Sequence, residues 1–114
     1  MEASKKTADF PYCSDVIYLD KQNQIGIEFN WNIRIRIDGI LTTDENSFIR
    51  MMDALMYIAR DLGYDYIIFA DFLADEIVEM FLRYGFEETK SDGDPNTHYL
   101  DMHLENKNEL KENK

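Results

Sequence analysis

The stretch from Thr42 to Ala70 constrains this chain more than any other. Thr42-Thr43-Asp44-Glu45-Asn46 carries helix-start chemistry, and Phe48, Met51, Met52, Leu55, Ile58, Ala59 and Leu62 then recur at helical spacing until Gly63. Residues 64–70 (YDYIIFA) follow at once as a nearly continuous apolar run, the pattern of a central strand covered on both faces. A helix feeding straight into a buried strand has to lay that strand beside an earlier one. Ile33, Ile35 and Ile37 supply it by alternating with Asn32, Arg34, Arg36 and Asp38, before Gly39 permits a bulge ahead of Ile40 and Leu41. Together these pieces predict a β-α-β unit with a right-handed, parallel crossover.

Around that unit, residues 16–19 and 25–29 are short β-prone runs joined by Lys21-Gln22-Asn23-Gln24, which predicts an antiparallel hairpin. Residues 71–84 predict a second helix, with Phe72, Leu73, Ile77, Met80, Phe81 and Tyr84 inward and Gly85 as terminator. A strand at 86–89, a loop at 91–97 and a strand at 98–104 complete the order β-β-β-α-β-α-β-β. The expected class is α/β: a mixed sheet combining an antiparallel meander with one parallel crossover, and helices on its faces. Residues 1–14 lack sustained periodicity and 105–114 (ENKNELKENK) are polar, so one domain at 15–104 between mobile ends is expected.

Composition narrows the function classes. At 114 residues and 45% apolar the chain can build one ordinary core. No apolar run approaches the ~18 residues of a membrane span, and residues 1–10 are too polar for a signal peptide, so a cytoplasmic protein is expected. A single cysteine, Cys13, has no internal disulfide partner, and no Cys/His set has zinc spacing. Lys and Arg number 12 against 23 Asp and Glu, a formal charge of -11, which disfavours direct contact with nucleic acid. Lys5, Lys6, Lys107, Lys111 and Lys114 in the polar ends are matched by Glu2, Asp9, Glu105, Glu109 and Glu112, so the whole excess belongs to the domain. Such a surface serves solubility or a basic partner.

Several constellations read as structural. His98 and His103 differ by an odd number of strand residues and point to opposite faces, so they do not share a metal. Asp92-Gly93-Asp94 lacks the distal glutamate of a calcium loop and reads as a turn. Cys13 has no sequence-local helper for nucleophilic chemistry, and Glu28 and Asp38 read as solvated strand residues. One feature points outward. Asp71, Asp75 and Glu79 lie at i, i+4 and i+8 of the expected second helix, with Glu76 adjacent, so one face presents carboxylates about 6 Å apart. Such a row imitates a phosphate backbone, and Asp44, Glu45 and Asp53 form a possible second patch.

Over residues 16–104 the sequence resembles the GNAT acetyltransferase superfamily. Residues 47–70 (SFIRMMDALMYIARDLGYDYIIFA) look like its long helix and following strand, including the ending Ala59-Arg60-Asp61-Leu62-Gly63. Met80-Phe81-Leu82-Arg83-Tyr84-Gly85-Phe86 looks like the end of its fourth helix, and 98–104 like its closing strand. The resemblance implies acetyl-CoA bound where two parallel strands splay, with the pyrophosphate held by a Gln/Arg-x-x-Gly-x-Gly/Ala turn at a helix N-terminus. Here Thr43-Asp44-Glu45-Asn46-Ser47-Phe48 stands at that turn, without either glycine and with two acidic residues. Phe81 stands at the family's tyrosine, Ile77 at its alanine and Ala74 at its asparagine; Tyr84 is the nearest hydroxyl. The family's N-terminal strand and paired helices have no counterpart. The reading that follows is a non-catalytic acidic binding or inhibitory protein on a degenerate GNAT fold. It would use no cofactor and occupy a basic surface of a partner such as a nucleic-acid-processing protein, as a phage-type inhibitor of host defence would. Asp71, Asp75, Glu76, Glu79, Asp44, Glu45 and Asp53 are its expected contact residues, and a homo-oligomer stays open. The alternative is an N-acetyltransferase using acetyl-CoA at a divergent cofactor site, with its general base among Glu28, Asp38 and Tyr84.

Overall fold

The computed structural model describes residues 2–4, 13–30, 34–89 and 97–104. Their elements are β1 (Glu2–Ser4), β2 (Asp15–Asp20), β3 (Asn23–Asn30), β4 (Arg34–Leu41), α1 (Glu45–Leu62), β5 (Tyr66–Asp71), α2 (Asp75–Tyr84), β6 (Glu87–Thr89) and β7 (His98–His103). They form one sheet in the order β1-β2-β3-β4-β5-β7-β6. β4 and β5 pair in parallel, as the β-α-β reading expects, and the other described pairs are antiparallel. The expected turn at Asp92-Gly93-Asp94 and the polar segment 105–114 lie outside the described residues.

Pairing with neighbours extends the strands beyond their sequence signals. Asn23 and Gln24, expected in the hairpin turn, instead join the ladder opposite Asp20 and Tyr18, leaving Lys21-Gln22 to make the connection. The Asp20 carboxylate closes it by accepting from the Gln22 backbone N–H at 2.9 Å and from Asn23 Nδ2 at 3.0 Å. Glu2–Ser4, which carries no periodic signal, is recruited as an edge strand against β2. Between β3 and β4, Gly26 lies opposite Gly39 but Ile27 opposite Ile37, so Asp38 is an extra residue. This bulge keeps Ile35, Ile37 and Ile40 facing the core, where a one-residue slip would turn them outward.

Both helices pack on the same face of the sheet. The steps from β4 to β5 and from β5 past β7 to β6 run the same way across the sheet, and right-handed crossovers then put both connections on one side. Phe48 of α1 and Phe81 of α2 meet with ring centroids 5.0 Å apart. Beneath them lie Ile17, Ile25, Ile27, Ile35, Ile37, Ile67, Phe69 and Leu100. The expectation that residues 64–70 are covered on both faces is corrected accordingly: Ile67 and Phe69 are buried, whereas Tyr66 on the opposite face is 39% exposed. Helices on the faces therefore means helices on one face, among the described residues.

The second helix begins four positions later than expected. β5 stays paired with β7 through Ala70↔Tyr99 and Asp71↔His98, so Asp71 is still strand, and its carboxylate accepts from the Phe72 backbone N–H at 2.7 Å. Phe72, expected inward, is 60% exposed, while Val78 takes a core position. No helix among the described residues is long and apolar enough to cross a membrane.

Candidate functional site

The parallel pairing of β4 and β5 ends at Ile37 and Phe69, yet β4 continues to Leu41 against β3 and β5 to Asp71 against β7. The two strands part there, and the N-terminus of α1 stands beyond the end of β4. A buried side chain holds that corner: Asn23 Oδ1 accepts from the Thr43 backbone N–H at 2.8 Å, and Asn23 Nδ2 donates to Thr43 Oγ1 at 3.1 Å. Asn23 carries only a turn signal in the sequence; this role arises from a contact with a residue 20 positions away. Asp44 is the N-cap of α1. Its Oδ1 accepts from the Ser47 backbone N–H at 2.7 Å, and Oδ2 accepts from Thr43 Oγ1 at 3.1 Å. The Ser47 N–H holds the Asp44 carboxyl below the usual carboxylate range. The helix end that could receive an external anion is thus already supplied with one by the chain.

The remaining predicted contact residues divide into engaged and free. Arg83 donates to Glu45 through Nε at 2.9 Å and Nη2 at 2.7 Å, and its Nη1 lies 3.6 Å from Glu79. This fork lowers the Glu45 pKa and raises that of Arg83. Asp53 accepts from the Tyr84 hydroxyl at 2.6 Å. Asp71 is on β5 and not on the helix, which breaks the expected i, i+4, i+8 row and leaves Asp75 and Glu79 as its helical members. Asp75 and Glu76 are exposed in the first turn of α2, next to an Ala74 N-cap with no side-chain cap. The i,i+4 spacing of Glu79 and Arg83 was the legible signal for part of this pairing. Nothing local announced Glu45.

Phe48, at the second glycine position of the resembled turn, does not crowd the splay. Its ring is buried and packs edge-on against Phe81 and, at 6.1 Å, Tyr84. Tyr84 faces α1, and burial followed by its hydrogen bond to Asp53 raises its pKa, so it is a poor proton donor at neutral pH. Near the β4 bulge, Arg36 Nε donates to Asp38 at 2.7 Å, and the buried Cys13 thiol lies within the influence of the Asp38 charge. Burial first, then the Asp38 charge, pushes that thiol up to about 11, which makes it unreactive at neutral pH. Glu28 Oε1 is enclosed without a hydrogen-bond partner. His98 Nδ1 lies 2.7 Å from Glu88 and His103 stacks on Tyr66 at 4.6 Å, so the two histidines are separated. Among the described residues no group of His, Cys, Asp and Glu is arranged to hold a metal ion.

A cleft of about 750 Å³ lies beyond the end of α2, between Asp53, Met56, Tyr57, Arg60 and Asp61 of α1, Tyr84 of α2 and Met102 of β7. A smaller hollow of about 160 Å³, lined by Gly85, Glu87, Asp101, Met102 and His103, shares Met102 with it.

The architecture is GNAT-like: a mixed sheet with one parallel pair, splayed at its end, and a helix in each of the two crossovers. Solved structures similar to it are acetyltransferases. Ard1 from Thermoplasma volcanium superposes with a TM-score of 0.59 at 15% identity, over 73% of this chain and 63% of that one. An aminoglycoside 6'-acetyltransferase type Ii gives 0.63 at 10% identity, over 78% and 68%. A GNAT family acetyltransferase from Elizabethkingia anophelis, solved with acetyl-CoA bound, gives 0.56 at 13% identity, over 75% and 70%. Likeness at this level of identity is a likeness of fold. No protein-family model and no curated protein matches the sequence at a significant level.

Proposed function

We propose that this chain is a non-catalytic binding protein on a GNAT-like fold, acting through its acidic surface on a basic surface of a partner protein. One observation carries the non-catalytic part: Asp44 caps α1 with its own carboxylate at the helix end where the resembled family holds the cofactor pyrophosphate. An incoming pyrophosphate would have to displace that cap and sit beside Asp44 and Glu45, so the residues present do not fit acetyl-CoA in the usual manner. Tyr84, the nearest hydroxyl to the family's proton donor, is committed to Asp53. The formal charge of -11 supports the partner class, with Asp75 and Glu76 as exposed carboxylates outside these internal pairs. An inhibitor that covers a nucleic-acid-binding surface is one form such a protein takes.

Thermal denaturation with acetyl-CoA tests this reading. A ligand at 100 times its dissociation constant stabilises a native state by about 2.7 kcal/mol, or several degrees for a domain of this size. The expected result is no saturable shift at millimolar acetyl-CoA. A saturable rise would establish cofactor binding and turn attention to Glu28 and Asp38 as bases.

A further inference from the structure

The lengths of the two helices create a site that neither the fold resemblance nor the acidic row accounts for. α1 has 18 residues and α2 has 10, so at 1.5 Å per residue α1 is longer by about 12 Å. The last residue of α2, Tyr84, is hydrogen-bonded to Asp53, and among the described residues α1 runs on to Leu62 with no second helix beside it. The cleft of about 750 Å³ opens there. Met102 lines it and lies close against Gly85: a Cβ on Gly85 would meet Met102 Cε at 3.0 Å, and the Gly85 φ of +126° already disfavours a side chain. Tyr57 stands at the wall, 73% exposed.

The charge around Met102 is unbalanced. Asp53 and Asp61 line the cleft, and Glu87 and Asp101 line the hollow that shares Met102, against Arg60 in the wall. Glu87 and Asp101 are directly opposite each other on β6 and β7, a like-charge cross-strand pair that costs stability when nothing neutralises it. Arg60 forms no ion pair with any of these carboxylates among the described residues, and the Asp61, Glu87 and Asp101 side chains make no hydrogen bond or ion pair there. A planar cation would find tyrosine rings to stack on, thioethers to lie against and carboxylates to fork.

We propose that this cleft receives an arginine side chain from an extended segment of the partner protein. The inference rests on the acidic-binding reading and moves its centre from the α2 face to the far half of α1. Arginine fits better than lysine because its guanidinium is flat, stacks, and meets a carboxylate through two parallel hydrogen bonds. The cleft lies toward the C-terminal half of α1, away from the splay of β4 and β5.

The test is an NMR titration of the full chain, labelled with 15N and with 13C at the methionine methyls, using the peptide acetyl-Gly-Arg-Arg-Gly-amide at low salt. Expected are saturable shifts at the amides of Tyr57 and Asp61 and the methyls of Met56 and Met102, with at least tenfold weaker binding when citrulline replaces arginine. Tyr57→Ala combined with Asp61→Asn, both at exposed positions where folding is not at stake, should weaken binding at least fivefold. Shifts confined to Asp75 through Glu79, binding unaffected by the double variant, or no saturation would each overturn the cleft assignment. Acetyl-CoA added to the same sample separates the two readings: saturation by acetyl-CoA with the peptide still in the cleft removes the non-catalytic reading and leaves the arginine site standing.

Discussion

Cys13 illustrates how a single residue ties this fold to pH. It is 5% exposed, and burial followed by the charges of Asp38 and Glu28 raises its thiol from 9.0 to about 11. The fold therefore holds the neutral thiol. Because the folded value lies above the unfolded one, its contribution is complete below pH 9 and is lost as pH rises toward about 11. Tyr84, raised by burial and by Asp53, acts with the same sign at still higher pH. The melting temperature should be level from about pH 6 to 8 and fall steadily above about pH 9. Cys13→Ala should flatten the first part of that fall, which a series of scanning calorimetry runs would show; an unchanged alkaline slope would place the sensitivity elsewhere.

At the scale of elements, the contact between α1 and α2 is made by a small aromatic cluster. Phe81 is fully buried and meets Phe48, Phe69 and Phe86 with centroids at 5.0, 5.7 and 4.9 Å. It thereby links both helices, β5 and the turn into β6. Phe81→Ala removes a ring from a close-packed site and should cost about 3–5 kcal/mol, against total stabilities of about 5–15 kcal/mol for domains of this kind. Chemical denaturation would measure it. Leu82→Ala, one position along on the same helix but 40% exposed, should cost far less, which separates packing from helix propensity. The helix period makes Phe81 legible as a core residue, but its partners come from α1, β5 and the turn into β6, which only the folded chain brings together.

For the whole molecule, the formal charge of -11 repels itself in the compact state. Screening reaches about 30 Å at 0.01 M salt and only about 8 Å at 0.15 M, so unpaired surface carboxylates feel one another in dilute buffer and much less near physiological salt. Raising sodium chloride across that range should therefore raise the melting temperature by several degrees. A fall would mean that pairs such as Arg83 with Glu45 and Glu79 outweigh the general repulsion. The same salt should weaken any complex with a basic partner, chiefly through slower association.

Element types and the parallel crossover were legible because they depend on periods of about 3.6 and 2 residues read along the chain. Gly63, with φ +83°, and Gly85 end α1 and α2 where the sequence marks them, since glycine tolerates the left-handed turn that stops a helix. What lay beyond such reading was decided between distant segments. Asp71 was drawn into β5 by its register with His98, Glu45 was claimed by an arginine 38 residues away, and Glu2–Ser4 became a strand on β2. Carboxylates indistinguishable in the sequence were thus sorted into a helix cap, ion pairs, a tyrosine hydrogen bond and free surface charges. The cleft beside Tyr57 likewise arises from the placement of one helix beyond the end of another. Hydrogen bonding and packing act through space, so the chain specifies its local periods residue by residue, while the partner each side chain meets is settled when the crossovers place the helices on one face of the sheet.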